Sequence, residues 1–211
     1  IFGANTSKKI GSRYNHYNSM IVSNNNLQFI TKYDKKKLVP FGEFLPFESI
    51  LNSMGLKKIT PGYESFSSGE GNSLLKFNFD EKKIKILPLI CYEIIFPALV
   101  EEYSKYNFLI NISEDAWFGE SIGPQQHFAK SIFRSIESNV FTLRAANMGV
   151  SAFISPQGKI LKNLQPNEIG NIELSLPILQ NDKKKTKNDL IFLSVLTTFI
   201  ITFFILRKFK I

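Results

Sequence analysis

The apolar positions of this chain come in short runs, and polar turns separate one run from the next. Two such runs flank the asparagines at positions 24 to 26 and predict a hairpin within residues 17–31. Further runs predict strands, at Ile84–Ile90, Phe108–Ile112, Val140–Leu143, Val150–Ile154 and Ile169–Leu174. Runs of this length fit strands better than helices, which usually need about 10 residues or more.

Helical spacing appears between these strands. Proline begins the stretch Pro97–Tyr106, where Leu99 and Tyr103 lie four residues apart and so share one face. The stretch Gln125–Ser138 carries apolar residues at the same spacing, namely Phe128, Ile132 and Ile136. Strands that alternate with helices predict an α/β domain built in layers.

The C-terminal part of the chain has a different pattern. Leu190–Leu206 is a run of 17 residues without a charge, which predicts one transmembrane helix over residues 190–206. A buried helix of a soluble domain is the alternative. Basic clusters on both sides disfavour it, because they suit two membrane interfaces better than one core. The clusters Lys183–Lys187 and Arg207–Lys210 favour opposite orientations.

Residues 52–73 are rich in glycine and serine and predict an exposed loop or arm. The arm also carries apolar side chains, at Met54, Leu56, Tyr63 and Phe66. A gate that enters lipid and an ordinary cap on the domain both fit this pattern.

The charge is concentrated near the C-terminus. The chain has a net charge of +8, and residues 183–211 hold seven basic residues and one acidic residue, which leaves +2 for residues 1–182. A nearly neutral domain is a poor match for a nucleic-acid partner, which requires a basic face. A single cysteine excludes an internal disulfide, and with only two histidines the chain has a poor set of metal ligands.

That cysteine, Cys91, comes directly after the apolar run Ile84–Ile90, where a buried strand would deliver it to the edge of a sheet. Cysteine in this position is either a small core residue or a nucleophile. A nucleophilic thiol needs a base or a positive charge nearby. Glu93 would share a face with Cys91 in an extended strand, Lys35 and Glu43 lie in a loop punctuated by proline and glycine, and a histidine can reach the thiol only through the fold.

Several segments together resemble one family, the bacterial apolipoprotein N-acyltransferases, which are membrane enzymes of the nitrilase (carbon–nitrogen hydrolase) superfamily. The resemblance runs from about Tyr14 to Gly158, and the motifs occur in the family's order. They are Tyr33–Pro46, Ile90–Glu93, Ser113–Gly119, Ser121–Phe128, Arg144–Gly149 and Pro156–Gly158. The fold that this resemblance implies is a nitrilase-like α-β-β-α sandwich, followed here by the C-terminal transmembrane helix.

The resemblance also implies roles for particular residues. Cys91 matches the family's nucleophile, and Lys35 matches the lysine that stabilises the oxyanion. Glu43, Tyr92 and Glu93 match residues that surround the family's site. Trp117 matches an aromatic residue that lines the site. No metal and no cofactor are implied.

One member of the family's Glu–Lys–Cys set has no match. The general-base glutamate lies upstream of the lysine loop in the family, whereas no acidic residue precedes Asp34 in this chain. We therefore expect an incomplete N-terminus and a fragment that lacks its own base. Glu114 also stands where the family usually has asparagine, and we expect its carboxylate to be solvated or paired with a base.

The implied activity is transfer of a fatty acyl chain from a phospholipid to the N-terminal amine of a diacylglyceryl-cysteine apolipoprotein, through a thioester on cysteine. The implied partners are the phospholipid donor, the apolipoprotein acceptor and the membrane. The implied location is the bacterial inner membrane, with the catalytic domain on the periplasmic side. Two alternatives stay open, which are a thiol amidase or nitrilase acting on a small C–N compound, and a non-catalytic domain tethered to the membrane.

These expectations divide the chain into four parts. Residues 1–178 form the carbon–nitrogen hydrolase domain, incomplete at its N-terminus, and residues 179–189 form a basic linker. The transmembrane helix follows over residues 190–206, and residues 207–211 form a basic tail.

Overall fold

The computed structural model of the chain describes residues 1–55, 65–71, 74–79, 81–101, 105–179 and 188–208. Nine strands lie in this part of the chain: β1 Phe2–Ile10, β2 Arg13–Ser23, β3 Phe29–Asp34, β4 Leu75–Phe79, β5 Lys82–Ile90, β6 Phe108–Glu114, β7 Phe141–Asn147, β8 Ser151–Ile154 and β9 Ile160–Leu164. The α-helices described are α1 Glu48–Ser53, α2 Pro97–Glu101, α3 Gly123–Ser138 and α4 Asn188–Lys208.

The strands form two sheets. The first is antiparallel with the order β1-β2-β3, and the second has six strands in the order β4-β5-β6-β7-β8-β9. The centre of the second sheet, β5-β6-β7, is parallel, and its other pairs are antiparallel. The predicted α/β layering is therefore confirmed, with a mixed sheet at its centre.

Strand β5 contributes to two cores because successive side chains of a strand point to opposite faces. Ile84, Ile86 and Ile90 face the first sheet, where they pack in one cluster with residues such as Met20 and Tyr33. On the other face, Leu87 and Leu89 pack in a second cluster with residues that follow β5 and precede β7, namely Ile94, Leu99, Val100, Tyr106, Leu109 and Val140. The continuous apolar run that ends at Ile90 is thus a strand buried on both faces.

The parallel centre determines where functional side chains can meet. The carboxyl ends of parallel strands lie at the same edge of a sheet, and ligands of open α/β sheets bind outside that edge. Here β5 ends immediately before Cys91, β6 ends at Glu114 and β7 ends at Asn147. The three strands are neighbours, so the segments that follow them converge.

Most predicted strands are confirmed, and one is wrong. The hairpin within residues 17–31 is formed by β2 and β3, and the run at Ile84–Ile90 lies within β5. Residues 169–174 form no strand, and Ile169 is fully exposed. The partner of β8 is instead β9, because the tight turn at Pro156–Gly158 brings the residues immediately after it alongside β8.

Helix α3 buries a face that the apolar spacing did not predict. Its buried residues are Pro124, His127, Ser131, Arg134, Ser135 and Ser138. Hydrogen bonds make this polar face compatible with burial; for example, the Ser135 hydroxyl oxygen lies 2.8 Å from the carbonyl oxygens of both Val140 and Ser155, and its one O–H can donate to either. Ile136, by contrast, is exposed and lies against the turn at Gly158, where an added Cβ would come within 2.7 Å of its Cδ1.

The arm predicted over residues 52–73 lies partly outside the described residues, and two of its apolar residues, Leu56 and Tyr63, are in the part that is not described. Tyr103, on the helix predicted after Pro97, also lies outside the described residues. Met54 is 70% exposed, but Phe66 is half-buried and donates its backbone N–H to the carbonyl of Glu43. The segment around Phe66 therefore belongs to the domain surface.

Helix α4 has the length and composition of a membrane span. Its 21 residues extend over about 31 Å, close to the roughly 30 Å hydrocarbon thickness of a bilayer. The window Leu190–Arg207 has a mean hydropathy of 2.3, and none of it is buried against the described part of the chain. Its hydroxyls are satisfied within the helix, since Ser194, Thr197, Thr198 and Thr202 each donate to a carbonyl three or four residues earlier.

We expect Phe199→Arg to prevent insertion of this helix. An arginine near the centre of a span costs about 3 kcal/mol of insertion free energy, roughly a hundredfold in the inserted fraction. The test places residues 188–208 as a test segment in a microsomal insertion assay that reports the inserted fraction by glycosylation. Phe199→Leu is the control, and equal insertion of the arginine variant would contradict a membrane-spanning role.

Candidate active site

Cys91 lies at a sharp turn between β5 and a 3₁₀ helix, Cys91–Ile95. Its φ angle is 50°, which is the left-handed region of backbone conformation. A non-glycine residue there is strained by about 1–2 kcal/mol, so the surrounding structure must hold it in place. Cys91 is half-buried and lies just beyond the end of β5, which pairs in parallel with β6.

Glu93 is the residue that joins this turn to the lysine loop. Its side chain is fully buried. The Oε2 atom accepts a hydrogen bond from the backbone N–H of Ile90 at 2.8 Å. The Oε1 atom accepts from the backbone N–H groups of Lys36 and Lys37 at 2.8 and 3.0 Å, and from the hydroxyl of Tyr33 at 2.7 Å. One carboxylate therefore fixes the turn around Cys91 against residues about 55 positions earlier in the chain.

The environment of Glu93 acts on its ionisation in two directions. Burial disfavours the charged form and raises the pKa of Glu93 above its ordinary value of 4.5. The donors from Ile90, Lys37, Tyr33 and Lys36 oppose this rise without cancelling it.

Lys35 follows the last residue of β3 and is almost completely buried, with 1% of its surface exposed. Its Nζ atom lies 2.9 and 2.8 Å from the two carboxylate oxygens of Glu43. Glu43 also accepts from the side-chain amide of Asn18 at 2.9 Å and from the backbone N–H of Val39 at 2.8 Å. The lysine loop therefore encloses its own ion pair, and the ammonium is held in one position.

A second segment covers the lysine loop. The backbone N–H of Gly69 donates to the carbonyl of Lys35, and the hydroxyl of Ser68 donates to the carbonyl of Lys36, both at 2.8 Å. A Cβ at position 69 would lie 2.0 Å from the carbonyl oxygen of Asp34. Only glycine permits this approach.

A buried polar cluster lies behind Cys91. Asp115, His127 and Arg144 belong to it, and all three are buried. Asp115 Oδ1 lies 2.9 Å from His127 Nδ1, and Asp115 Oδ2 accepts from Arg144 at 2.6 Å. His127 Nε2 lies 3.1 Å from the backbone carbonyl oxygen of Cys91. The fold thus brings a histidine to Cys91, but the ring faces the backbone of the residue.

Sequence reasoning assigned no role to Asp115 and Arg144. Both stand in motifs that carry the resemblance, but their contact joins residues 29 positions apart. The available signal was that Asp115 directly follows β6, while Arg144 lies in the middle of β7, the strand that pairs with β6 in parallel.

The remaining predicted site residues lie around this edge of the sheet. Tyr92 packs edge-to-face on Phe96, with ring centroids 5.0 Å apart. Trp117 lies in the 3₁₀ helix Asp115–Phe118 after β6 and is 64% exposed. Glu114 is exposed and paired with a neutral group, because both of its carboxylate oxygens accept from the side-chain amide of Asn147. Within the described residues, no cluster of histidine, cysteine and carboxylate side chains could hold a metal ion.

The chain matches a known family along most of its length. The family model for carbon–nitrogen hydrolase matches residues 1–181. The apolipoprotein N-acyltransferase of Rickettsia prowazekii is 39% identical over 176 residues, which are 83% of this chain and 34% of that protein. The protein of the same name from Rickettsia bellii is 38% identical over 206 residues, 96% of this chain and 39% of that protein. The chain therefore spans about a third of the length of these curated relatives.

Solved structures agree on the fold. Nit3 of Saccharomyces cerevisiae, a member of branch 10 of the nitrilase superfamily, superposes with a TM-score of 0.55 over 79% of this chain and 56% of that one, at 20% identity. An amidase from Nesterenkonia sp. gives a TM-score of 0.51 over 78% of this chain and 56% of that one, at 15% identity. The expected nitrilase-like fold is confirmed.

We expect Glu93→Ala to lower the stability of the domain by about 3 kcal/mol or more, because it leaves buried N–H and O–H donors without an acceptor. Glu93→Gln keeps the oxygen that accepts from the lysine loop but turns an N–H₂ group toward the N–H of Ile90, so its loss should be smaller, about 1–3 kcal/mol. Urea unfolding followed by tryptophan fluorescence measures both. Equal stability of the alanine variant and the parent would show that Glu93 does not hold the two segments together.

The raised pKa of Glu93 also predicts a pH dependence. The carboxyl group of Glu93 keeps its proton to a higher pH in the folded protein than in the unfolded chain. The contribution of this proton to the free energy of unfolding is therefore fully present below pH 4.5 and is lost as pH rises through the folded-state pKa of Glu93. The advantage of the parent over Glu93→Gln in melting temperature should therefore narrow as pH rises from 4.5. Asp115 does not interfere in this window, because its pKa is lowered from 3.8 and its contribution is lost only toward lower pH. An advantage that stays constant or widens would contradict the assignment.

Proposed function

We propose a function from one premise, which is that the chain belongs to the carbon–nitrogen hydrolase family. The proposed activity is transfer of a fatty acyl chain from a phospholipid to the N-terminal amine of an apolipoprotein, through a thioester on Cys91. The observation that supports it best is the buried Glu93 carboxylate, which holds the turn of Cys91 and the loop of Lys35 together. The names of the relatives supply the acceptor and the type of transfer, and the phospholipid donor is what the resemblance to this family implies.

In the proposed first step, a base removes the proton of Cys91 and the thiolate attacks the ester carbonyl of the phospholipid. The tetrahedral oxygen gains negative charge, which the Lys35 ammonium stabilises. The carbon–oxygen bond to the lysophospholipid then breaks, the leaving oxygen takes the proton, and the acyl group stays on sulfur. In the second step the apolipoprotein amine attacks the thioester, and the amide product and free thiol are released.

Neither carboxylate beside these loops suits the role of base. Glu93 accepts four hydrogen bonds and is fully buried. Glu43 is committed to the ion pair with Lys35. The resemblance places the base upstream of the lysine loop, and the curated relatives are about three times as long as the match. We propose that the base comes from a part of the protein outside these 211 residues.

Other parts of the chain take supporting roles in this proposal. Tyr92 and Trp117, whose ring is exposed, are assigned in this proposal to the approach to Cys91. Residues 1–178 form the catalytic domain, residues 179–189 a linker and residues 190–206 the membrane anchor, followed by a basic tail. Because one proposed substrate is a phospholipid and the other is a protein that carries a diacylglyceryl group, an anchor such as α4 would keep the site at the membrane surface. The proposed location is the periplasmic side of the bacterial inner membrane.

We expect the intact protein to acquire the mass of one fatty acyl group on Cys91 when it is mixed with phospholipid vesicles, and Cys91→Ala to acquire none. Lys35→Ala should slow acylation by about 10²–10³, the usual effect of removing an oxyanion donor. Mass spectrometry of the quenched protein measures the rate. Lys32→Ala is the control, since Lys32 pairs with Asp34 outside this ion pair.

Two results would change the proposal. An unchanged rate for Lys35→Ala would remove Lys35 from the mechanism. Acylation by small amides but not by phospholipid would favour the thiol amidase instead.

A further inference from the structure

The buried cluster of Asp115, His127 and Arg144 has no part in the proposed reaction. Burying these charges is costly unless each is paired and hydrogen-bonded. In this cluster they are connected to one another and, through His127, to the backbone of Cys91. The cluster therefore has a structural connection to the proposed nucleophile that the mechanism does not use.

His127 bridges a carboxylate and a carbonyl. Its Nδ1 atom lies 2.9 Å from Asp115 Oδ1, and its Nε2 atom lies 3.1 Å from the carbonyl oxygen of Cys91. A carbonyl oxygen can only accept, so Nε2 is the donor in that contact. This geometry directs the imidazole at the peptide that follows Cys91.

Cys91 is thereby held on both sides. The N–H of the preceding residue, Ile90, donates to Glu93 at 2.8 Å, and the carbonyl of Cys91 accepts from His127 at 3.1 Å. Between these two contacts the backbone has its left-handed φ of 50°. A strained conformation persists only when its surroundings determine it, and these two hydrogen bonds do so from opposite ends.

The other end of the bridge is anchored in the parallel sheet. The hydroxyl of Ser113, on β6, donates to Asp115 at 2.6 Å, and Arg144, on β7, donates to Asp115 at 2.6 Å. Arg144 also donates to the side chain of Asn111, whose amide donates to the carbonyl of Leu89 on β5 at 2.9 Å. Three adjacent strands thus fix the carboxylate that orients His127.

The carboxylate has the charge that this role requires. Burial opposes ionisation of Asp115, but the hydrogen bond of His127 and the charge of Arg144 outweigh it, so the pKa of Asp115 lies below its ordinary value. Space around the group is also restricted. A Cβ at Gly149 would lie 2.2 Å from Asp115 Oδ2.

We propose that His127 is a positioning residue, which donates Nε2–H to the carbonyl of Cys91 and, anchored by Asp115 and Arg144, keeps the thiol aligned for attack. The reaction that His127 would assist rests on the proposed function, whereas the contact between His127 and the carbonyl of Cys91 does not depend on it. It predicts an effect on the rate of acylation rather than on substrate binding.

The test compares donors of different reach in the full-length protein. His127→Gln places an amide N–H₂ close to the position of Nε2, whereas His127→Asn places one close to Nδ1 and does not reach Cys91. His16→Gln is the control, because His16 lies on β2 and its Nδ1 is hydrogen-bonded to Ser7 on β1. Each variant is mixed with p-nitrophenyl butyrate, an activated ester that acylates a thiol without phospholipid, and separately with phospholipid vesicles.

We expect His127→Asn to lower the acylation rate at saturating ester by about 10–100-fold, the scale of a misplacement of about 1 Å. Its half-saturating ester concentration should stay unchanged. His127→Gln and His16→Gln should stay within about threefold of the parent. Should His127→Asn fail to fold, His127→Met against His127→Gln makes the same comparison, because methionine has a similar length and no N–H donor.

The proposal would be overturned if His127→Gln and the variant without a donor at the position of Nε2, His127→Asn or His127→Met, were acylated at the same rate. A loss of rate that follows the loss of melting temperature across all variants would also overturn it, because that pattern indicates a purely structural role. Failure of the parent to react with phospholipid, while it reacts with the activated ester, would reject the proposed acyl donor and leave the comparison for His127 decisive.

Discussion

The arrangement of the site depends on one buried carboxylate. Glu93 accepts from Ile90 in the turn of Cys91, from the N–H groups of Lys36 and Lys37, and from Tyr33 on the first sheet. The two loops lie on different sheets, and apolar packing between those sheets has no directional preference that would fix one loop against the other. Hydrogen bonds to a charged acceptor are directional and short. The carboxylate of Glu93 therefore fixes the turn that carries Cys91 relative to the loop that carries Lys35.

The same turn is constrained from its other side by a different kind of contact. Around Glu93 the donors are mainly backbone N–H groups, and they offset the burial of one charge in part, without a cation. Around Asp115 the charge is offset by Arg144, and the carboxylate directs His127 toward the carbonyl of Cys91. Both arrangements place full charges in the interior, where an unpaired partner is strongly destabilising. Each network therefore constrains the left-handed turn of Cys91 from one side.

The sequence predicted what local patterns determine. The apolar run of β5 and its abrupt end at Cys91 are visible within ten residues, and so are the hairpin of β2 and β3 and the composition of α4. The contacts that build the site are not local: Glu93 meets Tyr33 across 60 positions and Asp115 meets Arg144 across 29. Helix α3 was predicted, but its buried face is polar and held by hydrogen bonds such as those of Ser135 and Ser138, and the spacing of apolar residues cannot reveal this. The strand expected at residues 169–174 is wrong, and the segment that pairs with β8 is β9.

The burial of Lys35 has a consequence for how its charge acts. An ammonium has three N–H donors, and the contacts of 2.8 and 2.9 Å to Glu43 use two of them. With 1% of its surface exposed, the group is shielded from water, so an oxyanion beside it would feel a charge little screened by solvent. Glu43 weakens that field but also holds the ammonium in place before substrate arrives. Oxyanion stabilisation depends on such preorganisation, because no free energy is then spent on reorienting the donor as charge develops. In the proposed reaction, the ion pair and the Glu93 contact thus serve one requirement, which is that the lysine and the cysteine turn are fixed before the substrate is bound.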